Sequence, residues 1–361
     1  MLVDANWRDL PGWNDDRLAD ALAAFQRSAA PFALKPYKQG SLGIEPGALG
    51  RLFEHALTID PGDEPVARRF FETHFTPYRI ADPHHEGLVT GYYEPVIAAA
   101  RRRTAGHRTP FLRPPPNLVD LEKTGRPAGF PGDLNWGLLQ RDGSITPCPD
   151  RSAIENGAFD GLGLEIAFVA DPVDVFFAHV QGSARLEFED GGALRIGFAG
   201  KSGHPFTGIG RLLVERGEVA ADAISMKAIR AWLAAHPREG RALMRENRSY
   251  IFFREIASDG PGPVAAARAP LTPGRSMAVD RRFHTFGTPV FVSAEADLDR
   301  SGAPFRRLMI AQDTGSAILG AARGDLYMGT GNAAGELAGR IKAHARFFVL
   351  TPGAQAQGGG R

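Results

Sequence analysis

The sequence predicts a mainly β protein with peripheral helices, built as two domains. Three observations point there. The chain has 361 residues, which suits roughly two domains. Its 43 glycines and 27 prolines make up close to a fifth of the chain, favouring short strands and turns over long helices. From Gly262 onward, short apolar runs recur between Gly and Pro, as buried strands do.

The first ninety residues hold the helices. Leu18, Ala21, Leu22 and Phe25 form one stripe after Asp15, an N-cap candidate. Pro46 suits the first turn of a helix with Leu49, Leu52, Phe53, Ala56 and Leu57 on one face. Asp63 and Pro65 open a third, with Val66, Phe70 and Phe71 apolar and Pro77 as its stop. His55 and His74 read as structural or surface histidines.

Gly87 to Ile97 alternates like a strand and carries Thr90, Gly91, Tyr92, Tyr93 and Glu94 together. Two of only six tyrosines sit side by side here. Paired rings with hydroxyl tips suit sugars, whose faces are apolar and whose rims are polar. Residues 98–150 read as loop-rich, with Arg101 to Arg103 a solvated turn. Asp150 caps a short helix through Glu155. Strands are expected at 164–169, 184–188 and 193–198, with Gly191-Gly192 as a hairpin turn and 171–177 as a bridging segment.

Gly200 to Arg211 superficially resembles a phosphate loop, but the full G-x-x-x-x-G-K-S/T pattern is absent and no helix-forming run is evident after it. The stretch reads instead as a polar loop offering Lys201, His204 and Thr207. Helices are expected from Ser225 to Leu233 and Arg241 to Asn247, and a strand at Tyr250 to Phe253. Six or so short strands near the C-terminus favour a small barrel. The glycine-rich tail from Ala354 to Arg361 is expected to be disordered.

Three carboxylates stand out in that C-terminal region. Asp313 and Asp325 lie twelve residues apart in Gln312-Asp-Thr-Gly315 and Gly324-Asp-Leu-Tyr-Met-Gly329, and Asp280 ends Ser276-Met-Ala-Val-Asp280. All three are expected at strand ends. Any one of them alone is explained as an Asp starting a turn. Glycines packed around an acid, however, let backbone approach a ligand closely. Tyr327, two residues after Asp325, can hydrogen-bond or stack on that ligand.

Several classes are excluded or left open. A net charge of +1 argues against nucleic acid or an anionic membrane as an obligatory partner. No run of about 18 apolar residues is present. Met1 to Trp7 has neither the basic region nor the apolar core of a signal peptide. The single Cys148 offers no internal disulfide and no metal cluster, and is expected to be a buried or semi-buried thiol.

Four separated segments then resemble one family: Thr90-Gly-Tyr-Tyr-Glu-Pro95, Ala199 to Arg211, Leu271 to Asp280, and Ala311 through Gly331. They look like membrane-bound lytic murein transglycosylase A with its C-terminal three-aspartate domain, over about Leu42 to Pro352. The resemblance implies a double-psi β-barrel domain made from both chain ends (1–100 and 256–361), an inserted β-domain (101–255), and a groove between them for a glycan strand. It implies non-hydrolytic cleavage of the β-1,4 MurNAc–GlcNAc bond of peptidoglycan, leaving a 1,6-anhydromuramyl end, with no cofactor or metal. It places the single catalytic acid on Asp325. Asp313 is expected to tune or position that acid, and Asp280 to serve structure or groove shape. Substrate contacts are expected from Thr90, Gly91, Tyr92, Tyr93, Glu94, Lys201, His204, Gln312 and Tyr327.

Peptidoglycan glycan strands are the implied partner, other cell-wall enzymes are further candidates, and a monomer is expected. The implied location is the periplasm, with outer-membrane association; the chain departs from lipoprotein members in showing no signal peptide or lipidated N-terminal Cys. Two other readings stay open on the residues: a non-catalytic peptidoglycan-binding protein, and a two-carboxylate glycoside hydrolase using Asp313 and Asp325.

Overall fold

A computed structural model describes residues 1–81, 87–257, 260 and 262–353. The expected disorder of Ala354 to Arg361 therefore lies outside the described residues. The chain divides into two compact units, Met1–Tyr93 with Asp259–Arg361, and Glu94–Ser258.

The first unit is organised by a nine-stranded sheet. Its order is Leu2–Asp4, Phe75–Ile80, Arg346–Pro352, Pro289–Ala294, Phe305–Asp313, Ser276–Val279, Arg323–Thr330, Leu88–Glu94 and Lys342–His344. Ser276–Val279 runs parallel to Phe305–Asp313 and antiparallel to Arg323–Thr330. The order is open-ended: among the described residues no pairing joins its outer strands, so these pairings draw a mixed sheet and not a closed barrel. Both chain ends contribute strands, because Arg346–Pro352 pairs with Phe75–Ile80.

Helices cover the core side. Leu18–Gln26 buries Leu18, Ala21, Leu22 and Phe25, as its periodicity predicts. Asp15 does not cap it; Arg17 holds the N-cap position without a side-chain bond. The neighbouring Asp16 is instead buried in an ion pair with Arg275, at 2.8 Å and 3.0 Å.

Pro46–Ala56 starts on its proline and buries Leu49, Leu52, Phe53 and Ala56, while Leu57 falls past the last turn and is exposed. Asp63 caps Glu64–His74 through the Val66 N–H. That helix ends before Pro77, which lies in the next strand. The rings of Phe25, Phe53, Phe70, Phe71 and Phe75 pack together in this core.

The second unit carries a four-stranded sheet ordered Ile251–Ile256, Ala193–Lys201, Ser183–Phe188, Val96–Ala99, with smaller two- and three-stranded sheets. The expected hairpin closes at Gly191, whose φ of 79° suits glycine. The 171–177 bridge is a helix, Pro172–Gln181, capped by Asp171. Residues 98–150, read as loops, contain the strands Thr109–Leu112, Leu118–Asp120, Trp136–Leu139 and Ile145–Pro147. A helix, Ile209–Glu215, does follow the Gly200 loop. Its apolar Ile209 and Leu213 were hidden by the surrounding glycines. Cys148 is buried, as expected.

Candidate active site

Four adjacent strands of the first unit present one polar face. On Arg323–Thr330, side chains alternate. Leu326 and Met328 pack with the core, while Arg323, Asp325 and Tyr327 share the opposite face. On Leu88–Glu94, Val89 is a core residue and Thr90 and Tyr92 take the polar face. Ala278 sits between the acids: it pairs with Asp325 on one side and with Asp313 on the other. Directly paired residues share a face, so both carboxylates flank the Ala278 methyl.

A bulge makes this possible. Met277 pairs with Ala311, yet Ala278 pairs with Asp313, skipping Gln312. An extra residue of this kind re-aims the side chains beyond it. Gln312 is consequently directed into the core, accepting from Ser276 Oγ at 2.6 Å and donating to Ala24 O and Ser28 Oγ. Asp313 stays on the polar face.

Asp325 Oδ1 accepts from Thr90 Oγ1 at 2.5 Å, and Thr90 Oγ1 accepts from Arg323 Nη2 at 2.7 Å. Asp313 Oδ2 accepts from the Tyr92 hydroxyl at 2.9 Å, and its Oδ1 from the Thr314 N–H at 2.8 Å and the Ala266 N–H at 3.2 Å. The Tyr92 and Tyr327 rings lie 5.4 Å apart. Leu271, Ala278, Ile318 and these two tyrosines form a small apolar cluster beneath the acids.

Burial governs the proton affinities, since a carboxylate loses hydration in such surroundings. It pushes the Asp325 carboxyl up to about 6; the Asp313 charge adds to this, and the Thr90 hydrogen bond and Arg323 charge oppose it. Burial also raises Asp313, against the hydrogen bonds from Thr314, Tyr92 and Ala266. The Tyr92 phenol stays neutral, held well above its ordinary value by burial and by Asp313.

Asp280 belongs to a different environment. It is buried, binds Arg282 at 2.6 Å and accepts from the Gly320 N–H at 2.9 Å. Burial alone would raise its carboxyl, but Arg282 and the backbone donors hold it below the usual range. Asp280 follows its strand and Asp313 ends its own, whereas Asp325 is the third residue inside Arg323–Thr330.

The remaining expected residues divide. Tyr93 is buried; a Cβ on Gly335 would come within 2.7 Å of its ring. A Cβ on Gly91 would lie 2.9 Å from the Ala338 backbone, so glycine permits the strand to touch the Asn332–Ala338 helix. In the second unit, Glu94 is wholly buried and makes a two-pronged ion pair with Arg195, at 2.7 Å and 3.0 Å. His204 is buried with Nε2 2.8 Å from Cys148 O, and Lys201 is half-buried at a strand end. Sequence reasoning missed Arg323 and Thr314. Arg323 had a signal, since two residues before Asp325 in a strand means the same face.

Two family models match the chain: the MltA specific insert domain over residues 88–254 and the 3D domain over residues 275–351. A crystal structure of a membrane-bound lytic murein transglycosylase from Agrobacterium tumefaciens is 46% identical, covers 99% of both chains, and superposes with a TM-score of 0.92. This chain belongs to the membrane-bound lytic murein transglycosylase A family.

The Escherichia coli (strain K12) member is 35% identical over 284 residues, 76% of this chain and 68% of that protein. Its crystal structure with bound chitohexaose covers 98% of this chain and 91% of that one, at 26% identity and a TM-score of 0.68. The Vibrio cholerae member is 39% identical over 209 residues; the match spans 56% of each, just over half the length of that relative. Among the described residues no helix is long and apolar enough to cross a membrane.

Proposed function

We propose that this family member is a lytic murein transglycosylase, cleaving the β-1,4 MurNAc–GlcNAc bond of peptidoglycan without water and leaving 1,6-anhydroMurNAc ends. The observation that carries this reading is Asp325, a carboxyl raised to about 6 that faces Asp313 across Ala278. A carboxyl with that affinity holds a proton in mildly acidic conditions and gives it up readily.

In the proposed reaction, protonated Asp325 donates to the glycosidic oxygen as its bond to C1 breaks. The muramyl C6 hydroxyl attacks C1, and its proton passes to the Asp325 carboxylate, which restores the acid. The internal nucleophile supplies proximity that water lacks. Burial keeps Asp325 protonated, and the Asp313 charge adds to this by like-charge repulsion. Thr90, Tyr92 and Tyr327 line the reacting face, while Lys201 belongs to the second unit, half-buried at a strand end. Gly91 gives close backbone packing. Tyr93, Glu94, His204, Gln312 and Asp280 hold the scaffold through their buried contacts.

The chitohexaose held by the E. coli relative supports a β-1,4 glycan as ligand. The relatives are named membrane-bound; that supports our placing of this chain in the periplasm, with outer-membrane association. We assign the nine-stranded sheet to the family's double-psi barrel, with the 94–258 unit as the insert.

Purified sacculi treated with wild type or Asp325→Asn, followed by mass spectrometry, test the reading. Anhydro-muropeptides from wild type alone support it. Reducing-end products would favour a two-carboxylate hydrolase. Retention of the protein on intact sacculi, with no products, would favour a binding protein.

A further inference from the structure

The first unit holds a cavity of about 450 Å³ lined by Arg27, Ala30, Pro31, Leu34, Arg268 and Pro270, none of them a residue of the acid face. That volume suits a small ligand. The wall is apolar apart from the two arginines, and Leu34 is 87% exposed. Each guanidinium is anchored by one hydrogen bond: Arg27 Nη1 donates to Thr272 Oγ1, and Arg268 Nη2 to the Lys35 carbonyl. Arg268 also lies over the Tyr37 ring. A guanidinium has five N–H donors, so both keep donors to offer. Among the described residues neither has a carboxylate partner. Burial lowers the proton affinity of Arg27, and no acid offsets it. A cation that has lost water without gaining an acid favours an incoming anion. Arg268 stands at a φ of 61°, the left-handed region that suits glycine and that side chains avoid.

The stretch that brings Arg268 and Pro270 to this cavity also reaches the acids. Residues 263–271 close on themselves through the Val264–Pro270 bridge and the Leu271 N–H on the Pro263 carbonyl. Within them, the Ala266 N–H donates to Asp313 Oδ1, and Leu271 packs with Tyr92 and Tyr327.

We propose that the cavity is a subsite for the acidic peptide stem of peptidoglycan, with Arg27 and Arg268 clamping a stem carboxylate and the apolar wall taking its short aliphatic groups. This rests on the reading of peptidoglycan as the substrate. The stem hangs from the muramyl sugar, the one whose C1 reacts, and carries carboxylates beside methyl and methylene groups. Four extended residues reach roughly 13 Å, against a backbone step of at most about 7 Å from Ala266 to Arg268.

The test uses the full chain and two substrates, glycan strands bearing stems and strands stripped of them, and reads anhydro-muramyl product release. Arg27→Gln and Arg268→Gln should each raise KM roughly tenfold or more on stem-bearing strands, the scale of a lost charge-assisted hydrogen bond. On stripped strands KM should stay at its wild-type value, and kcat should hold on both, because the lost contact is not made to the reacting atoms. Leu34→Asp places a like charge at the cavity without touching the core, and should act in the same direction; it covers the case in which an arginine variant folds poorly. Calorimetric titration with the free tetrapeptide stem should show binding to wild type that weakens with salt and with each variant.

Equal KM changes on the two substrates, or no change in any variant, would overturn the proposal. So would binding of inorganic phosphate without binding of the stem, which would mark a general anion site. The two claims fail separately. If wild type releases no anhydro product from either substrate, the lytic reading fails; if it cleaves both and the variants match it, only the stem subsite fails.

Discussion

Asp313 and Asp325 stand on opposite sides of one small residue, Ala278, with their strands two sheet spacings apart, roughly 10 Å. Only a methyl separates the two carboxyls on that face. Ala278 is nearly fully buried. Replacing it with Leu pushes a branched side chain between the acids. Ala278→Leu should lose about a hundredfold in activity, the scale expected for a displacement of about 1 Å at a reacting centre. Glycan cleavage assays alongside thermal melts check this; full activity would mean the acids do not act across Ala278.

The like charge of Asp313 contributes to the raised Asp325 affinity. Asp313→Asn removes it, so the Asp325 carboxyl should ionise at lower pH. The working form is the acid, and activity falls as pH rises through about 6. The basic limb of Asp313→Asn should therefore move to lower pH. A pH–rate profile of kcat/KM measures the shift, and an unmoved or rising limb would contradict the electrostatic role.

Asp325 also links stability to pH. Its folded-state affinity lies above the ordinary value of 3.8, so the folded state binds more protons between that value and about 6. Its contribution to stability is fully present below 3.8 and is lost as pH rises through about 6. Asp325→Asn removes the buried charge. The variant should melt higher than wild type at neutral pH, with the gap closing near pH 4. Melting temperatures across that range settle the sign.

Glu94 and Arg195 form a buried pair in the second unit, with both side chains almost wholly excluded from solvent. Removing one partner strands the other charge. Glu94→Gln should destabilise by about 3–5 kcal/mol, the range for broken buried pairs. Chemical denaturation of wild type and variant gives the value. A loss below about 1 kcal/mol, typical of surface pairs, would mean the pair is effectively solvated.

His179 provides an opposite acid-side effect. Burial and the Arg151 guanidinium, whose Nη1 lies 3.1 Å from Nδ1, hold the imidazole neutral and its affinity well below 6.5. Tyr250 packs against the same ring. The unfolded chain binds a proton near 6.5 that the folded chain refuses, so stability present above 6.5 declines as pH falls below it. His179→Phe should flatten the melting-temperature profile between about pH 7 and 5, where unperturbed histidines titrate.

The amino-acid sequence by itself determined what repeats locally. The apolar stripes of Leu18–Gln26 and Pro46–Ala56, the Asp63 and Asp150 caps and the Gly191 turn are statements about neighbours in the chain, and each appears as read except that Leu57 falls off the end of its stripe. The segments carrying Thr90 and Asp325 were also legible as special, because glycine, acid and tyrosine crowd together there. The tertiary structure alone decided which residues meet. Asp16 is held by Arg275, 259 positions away. Glu94 turned to Arg195 and Gln312 to Ser28, both inward, although each stands in the same motif as a residue of the polar face. Strand alternation gives every side chain one of two faces, but register and the bulge at Ala278 choose between them. That choice depends on partners tens to hundreds of residues away, beyond any local pattern.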